Sequence, residues 1–226
     1  MNRNYQKELE KVIQVLQGEH KSLLLHSCCA PCSSYVLSYL RSYFDITLFY
    51  YNPNITDERE YRKRVVEQQR LIMELNQNGK SEAADGSNTY AASIQFMEGT
   101  YQPEKFYEIA KGLEMCPEGG ERCFRCYELR LREAAEVARE GGFDYFTTTL
   151  TISPLKNAEK LNEIGERISK EYGVAFLPSD FKKKNGYKRS IELSKEYDLY
   201  RQDFCGCAYS KAERERQKHI LEVENS

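Results

Sequence analysis

The chain carries eight cysteines, and they are grouped: Cys28, Cys29 and Cys32 in CCAPC, Cys116 followed by Cys123 and Cys126 in CFRC, and Cys205 with Cys207 in CGC. Thiolates are soft ligands suited to zinc and iron-sulfur centres, and a Cys-x-x-Cys pair on a turn or first helical turn can reach one centre. Cys123 and Cys126 have that spacing at the expected start of a helix, where unpaired backbone N–H groups and the helix dipole favour anionic sulfur. Cys28, Cys29 and Cys32 share one loop. Adjacent cysteines close a disulfide only with backbone distortion, which favours ligation over a structural bridge. These five thiols exceed four ligand positions, so one is left to bind a second metal, react with substrate or pack. Other chemistry fits the same residues. Cys29-Ala-Pro-Cys32 between strand and helix has the form of a thioredoxin-type dithiol, and Cys29, Cys32, Cys123 and Cys126 match a zinc tetrathiolate. Spacing leaves iron-sulfur, zinc and dithiol exchange open. Cys205-Gly206-Cys207 can ligate metal or close a small, strained and easily reduced disulfide, which makes it a candidate electron relay. Cys116, in a Glu/Gly-rich loop, reads as a spare thiol, and His26, at the end of a buried strand, as a hydrogen-bonded core residue rather than a ligand.

The elements that must position these groups alternate. An N-terminal helix with Leu9, Val12, Ile13 and Leu16 on one face precedes a strand at Ser22 to His26, a helix at Ser33 to Tyr43, a strand at Ile46 to Tyr51 and a helix from Asp57 to Asn76. Residues 77–101 show no sustained periodicity and read as loop or weak strand. Helices follow beyond Pro103 and from Cys123 to Glu140, then a strand at Tyr145 to Thr149, a helix at Asn157 to Tyr172, a strand at Val174 to Leu177 and a helix at Ser190 to Tyr197. This order predicts an α/β fold: a mostly parallel sheet with helices on both faces, a Rossmann-like three-layer arrangement, plus a helical cysteine-bearing insertion. Ligands in such sheets bind beyond the carboxyl ends of the strands, where Cys28 to Cys32 would lie. Residues 1–226 read as one domain.

With 226 residues, 40% hydrophobic, the chain can bury a core, and a net charge of −2 excludes a uniformly basic nucleic-acid binder. Any RNA contact must be a local patch, the first candidate being Lys182, Lys183, Lys184, Tyr187, Lys188 and Arg189, and the second Arg59, Arg62, Lys63 and Arg64. Apolar runs fall well short of the roughly 18 residues of a membrane span, and no secretory h-region is present. The cytoplasm is the expected compartment, where clustered thiols more often bind metal or do redox work than form structural disulfides. There is no Gly-rich phosphate loop, so neither ATP nor a nicotinamide is expected as an integral cofactor.

Five segments in order carry a resemblance: LLLHSCCAPCSSYVL at 23–37, YYNPNI with EYRKR within 50–64, PEGGERCFRCYELRL at 117–131, TTTLTISPLKN at 147–157, and DFKKKNGYKRSIELSKEYDLYRQDFCGCAYS at 180–210. Together they resemble the epoxyqueuosine reductases of the QueH type. That family reduces the epoxide of epoxyqueuosine to queuosine at the wobble position of the tRNAs for Asp, Asn, His and Tyr, the last step of queuosine biosynthesis. It is unrelated in sequence to the cobalamin-dependent reductases with the same activity. The resemblance implies a 4Fe-4S cluster on Cys28, Cys29, Cys123 and Cys126, a redox-active pair at Cys205 and Cys207, and Cys32 as candidate ligand of a second, mononuclear iron. It thus selects iron over zinc, and makes tRNA the partner with an unnamed electron donor. Epoxide reduction to an alkene takes two electrons and two protons and releases water, with iron suited to act as Lewis acid toward the oxygen. Asp203, Tyr209 and Tyr187 are candidate proton donors. The rival readings are a thiol-disulfide oxidoreductase using Cys29 and Cys32, and a zinc-stabilised RNA-binding protein.

Overall fold

The computed structural model describes residues 3–84 and 92–224. Its elements run α1 Tyr5–Leu16, β1 Lys21–His26, α2 Ala30–Leu40, β2 Phe44–Tyr50, α3 Glu58–Ala84, β3 Gln95–Glu98, α4 Pro103–Ala110, α5 Glu121–Glu140, β4 Tyr145–Thr148, a 3-10 turn Thr149–Ile152, α6 Ala158–Tyr172, β5 Ala175–Phe176, α7 Gly186–Glu196 and α8 Ala208–Glu224.

The five strands form one parallel sheet in the order β3-β2-β1-β4-β5. From β1 the chain first winds outward through β2 and β3, then returns to the other side of β1 for β4 and β5. The strand order therefore reverses between β1 and β4, and the carboxyl ends of those strands open the crevice where sheets of this class take ligands.

Side-chain alternation along β1 explains the three layers, because successive strand residues point to opposite faces. Leu23 and Leu25 join Leu9 of α1, Val36, Leu37 and Leu40 of α2 and Leu71 of α3 in one core. Leu24, between them, joins the opposite core with Leu131, Ala134 and Ala138 of α5 and Leu161, Ile164 and Ile168 of α6. Both faces of the sheet are thus dry, as an all-parallel sheet requires. The cysteine-bearing α5 lies in the connection from β3 to β4 and packs on β1, β4 and α6.

Several boundaries differ from the sequence reading. α2 starts three residues earlier, at Ala30, because Pro31 falls in its first turn, where the missing N–H is no loss. α3 continues past Asn76 to Ala84, and Gln95–Glu98 adds to the sheet beside Thr47 to Tyr50. Asn76 links the two, donating from Nδ2 to the Ile94 carbonyl (3.0 Å) and accepting from its N–H (2.9 Å). The strand is a four-residue sheet edge with mostly exposed side chains, so it leaves little apolar alternation to read. Residues 85–91 of the segment read as loop lie outside the described residues. The C-terminal helix α8 follows Cys207 directly, and its polar sequence gives almost no apolar stripe. No helix among the described residues is long and apolar enough to cross a membrane.

Candidate metal centre and redox pair

β1 ends at His26, and the chain turns through Ser27 and Cys28 into α2, with Cys29 as its extended N-cap residue. The turn is held on every side: Ser27 N–H donates to Phe49 O (2.9 Å), Ser27 O accepts from Asn52 Nδ2 (2.8 Å), and the hydroxyls of Ser27 and Ser33 both donate to Gln68 Oε1 (2.9 Å each). His26 is fully buried, with Nδ1 2.8 Å from Thr148 Oγ1 and Nε2 3.0 Å from Tyr51 O. Burial, then the Arg130 charge, lowers its pKa to about 3, so it is a neutral core residue as expected.

This turn brings the Sγ atoms of Cys28, Cys29 and Cys32 within 4.8 Å of one another. Cys28 and Cys29 are 3.7 Å apart and Cys29 and Cys32 are 2.9 Å apart, with Thr149 Oγ1 from the end of β4 3.7 Å from Cys28 Sγ. Hydrogen bonds from Cys29 and Cys32 hold Cys28 well below the ordinary thiol range, while Cys29 is pushed up to about 12 and Cys32 well above its usual value. The physical reading is that one buried thiol ionises readily and its neighbours then resist, because like charges crowd a dry site. A metal cation removes that resistance, so the soft triad fits a thiophilic metal.

Cys123 and Cys126 occupy the first turns of α5 and are buried, outside the triad. The Gly119 N–H donates to Cys123 Sγ (3.3 Å). Cys123 shares the α5 and α6 core, against which Cys28 also packs, whereas Cys126 packs with Cys207, Phe106 and Ala110. Burial raises both thiols, Cys126 to about 11. Cys116, in the turn before α5, pairs with no other thiol among the described residues.

The CGC segment sits at the start of α8. Cys205 and Cys207 have Sγ atoms 3.5 Å apart, a dithiol poised short of bonding. Cys207 caps the helix through sulfur, accepting from Ser210 N–H (3.3 Å), in the way a Ser or Asp side chain caps the N3 amide. The hydrogen bond from Cys207, aided by the Lys156 charge and the Ser210 hydroxyl 3.1 Å away, holds Cys205 well below the usual thiol range and leaves Cys207 as the proton holder. The loop is fastened from α3 and the preceding turn: Arg64 Nη1 (3.1 Å) and Asn54 Nδ2 (3.3 Å) donate to Cys205 O, and Thr56 N–H (3.2 Å) donates to Gly206 O. Gly206 has φ +112°, and a Cβ there would stand 2.7 Å from Ile55 Cγ1, so glycine is required.

The triad and Cys205 line one cavity of about 550 Å³ at the switch point. Cys123, Cys126, Cys205 and Cys207 line a small adjoining space. Cys205, Arg130 and Lys156 belong to both walls. Arg130 and Lys156 are the residues that spacing arguments overlooked. Arg130 lies on the α5 stripe four residues beyond Cys126 and seven beyond Cys123, which helical periodicity makes legible afterwards. It is buried, bound to Asn52 Oδ1 and 3.3 Å from His26 Nε2, with no carboxylate partner among the described residues. A buried guanidinium without a counter-charge suits a site that holds anionic sulfur. Lys156 has no periodic signal. Its ammonium is opposed by burial, yet the Cys205 sulfur, Tyr127 and Glu118 (3.2 Å) raise its pKa and keep it charged.

The lysine-rich run is largely neutralised. Lys182 pairs with Asp180 (2.8 Å), Lys184 with Glu10, and Arg189 with Glu192 (3.2 Å) and Glu196 (3.5 Å). Lys183 and Lys188 have no acidic partner among the described residues, and Tyr187 lines the cavity. In the second cluster Arg62 pairs with Glu98 (2.9 Å), Arg64 is buried against Glu60 (2.7 Å), and Lys63 lies over the Tyr200 ring. Among the proton-donor candidates, Asp203 and Tyr187 line the cavity, while Tyr209 packs on Phe106 beneath the Arg122 guanidinium.

Soft thiols gathered at the switch point of a parallel sheet form a site able to hold a thiophilic metal. A model of the family described as "Epoxyqueuosine reductase QueH" matches residues 23–213. The chain belongs to that family. A protein named epoxyqueuosine reductase QueH from Staphylococcus epidermidis is 44% identical over 211 residues, covering 92% of this chain and 84% of that protein. The proteins of the same name from Streptococcus pyogenes serotype M1 and Thermotoga maritima are 44% and 36% identical, covering 92% and 88% of this chain and 78% and 94% of theirs.

Proposed function

We infer that the chain is an oxidoreductase that converts epoxyqueuosine to queuosine in tRNA, the last step in making that nucleoside, and that it works in the cytoplasm as a single domain. The carrying observation is the family match across residues 23–213, which spans all three cysteine groups. Their placement around two adjoining spaces that share Cys205, Arg130 and Lys156 supports the same reading.

In this proposal Cys28, Cys29, Cys123 and Cys126 would hold a 4Fe-4S cluster, with Cys32 left for a second iron. Such a cluster would supply electrons, and a second iron at Cys32 would supply Lewis acidity toward oxygen. The protein's own residues do the rest. Arg130 and Lys156 offset the thiolate charge inside the cavity. Oxidation of the Cys205 thiolate and Cys207 thiol to a disulfide releases two electrons and one proton. Conversion of the epoxide to an alkene consumes those two electrons and two protons, one from Cys207 and one from solvent, and releases its oxygen as water. Cys205 is the sulfur held ready as thiolate and Cys207 the one that keeps its proton. An external reductant then restores the dithiol. For tRNA, Lys183, Lys188 and Tyr187 of the 182–189 run are available, since carboxylates hold Lys182, Lys184 and Arg189.

The direct test is anaerobic incubation of the protein with tRNA carrying epoxyqueuosine and a strong reductant, followed by nucleoside analysis. Queuosine should replace epoxyqueuosine; an unchanged epoxide pool with fully reduced, metal-loaded protein contradicts the function.

A further inference from the structure

We propose that the tRNA backbone is gripped at the mouth of the cysteine cavity by Arg201 and Arg214, more than by the lysine-rich run. This rests on the tRNA-modifying function above and names the surface that meets the RNA.

Both arginines line the large cavity and are exposed. Each is oriented by neutral partners that leave its charge uncancelled. Arg201 Nη1 donates to Ser194 Oγ (3.1 Å), while Arg214 donates from Nε to the Asp203 backbone carbonyl (3.1 Å) and from Nη1 to Gln217 Oε1 (3.1 Å). Neither has a carboxylate within ion-pair distance among the described residues. A guanidinium has five N–H donors, so most remain free for phosphate oxygens, and its planar fork suits bidentate contact. Three carboxylates share the wall: Glu118 is taken by Lys156 (3.2 Å) and Asp203 by Lys218 (2.6 Å), and Glu213 leaves the two arginines in excess.

The geometry of a modified nucleotide gives this placement its meaning. A base presented to a buried reaction site must leave its stack, and the phosphates on either side of it stay at the rim. Tyr187, 37% exposed on the same wall, offers a ring for stacking, and Gln202 has a buried Oε1 with no hydrogen-bond partner, an acceptor available to an incoming N–H. Lys183 and Lys188, by contrast, do not line the cavity.

The test is binding of epoxyqueuosine-containing tRNA between 50 and 200 mM salt, roughly the range over which phosphate contacts are read from the slope of log K against log salt. Arg201→Gln with Arg214→Gln should flatten that slope by about 1.4 to 1.8, at roughly 0.7 to 0.9 for each phosphate no longer neutralised, while the double Lys variant at the same positions keeps it. In turnover, the Gln pair should raise KM with kcat little changed. An unchanged slope in the Gln pair overturns the proposal, as does a larger loss in Lys183→Gln with Lys188→Gln. Binding is read without turnover. A wild-type protein that binds tRNA with the expected slope but leaves epoxyqueuosine intact therefore counts against the function, not against this surface.

Discussion

Cys205→Ser should stop epoxide reduction with the physiological reductant, lowering the rate by roughly three orders of magnitude or more, equivalent to about 4 kcal/mol of barrier. The Cys205 and Cys207 sulfurs stand 3.5 Å apart, fastened by Arg64, Asn54 and Thr56, and as a pair they release the two electrons that the reaction consumes. Serine has nearly the same shape and keeps the hydrogen-bonding role, so the fold and the iron content should persist. Cys207→Ser should behave alike, because a single thiol cannot close the disulfide. Full activity of either variant with the physiological reductant would remove the relay from the account.

Cys123→Ala should strip the protein of most of its iron, from about four atoms per chain to below about one. The Cys123 side chain is buried beside the core that also receives Cys28, and its sulfur already accepts the Gly119 N–H, as metal-bound thiolates in helix-start loops do. Deleting one small buried sulfur should cost little packing, so folding is not the readout. Cys116→Ala is the matched control and should leave iron unchanged. Equal iron in the Cys123 variant and the control would show that the ligand set is wrong.

Much of the frame was legible because burial patterns are local. Leu23, Leu24 and Leu25 mark a strand buried on both faces, and the alternation of strands with amphipathic helices dictates a parallel sheet, which places Cys28 to Cys32 at the carboxyl end of β1. The edge strand Gln95–Glu98 was legible only as loop or weak strand because a half-exposed edge needs no apolar alternation, and α8 was not legible because its helix is polar around most of its circumference. Within the site, cysteine spacing marked the candidate ligands but not their surroundings. Arg130 and Lys156 become visible only when α5 and the segment between the 3-10 turn and α6 are folded against the same cavity. The lysine-rich run misled in part for the same reason, since Glu10, which holds Lys184, is 174 residues away in the chain. Charge in sequence is not charge on the surface once long-range pairs form.

Whether thiolates at the sheet's switch point hold an iron-sulfur centre is decided by purifying the intact protein without oxygen and measuring iron, acid-labile sulfide, zinc and the visible spectrum on one sample. The proposed centre should give a brown protein with at least about four iron atoms and matching sulfide per chain, and broad absorbance that dithionite bleaches. A colourless protein with stoichiometric zinc and no iron, even after anaerobic reconstitution, would contradict it.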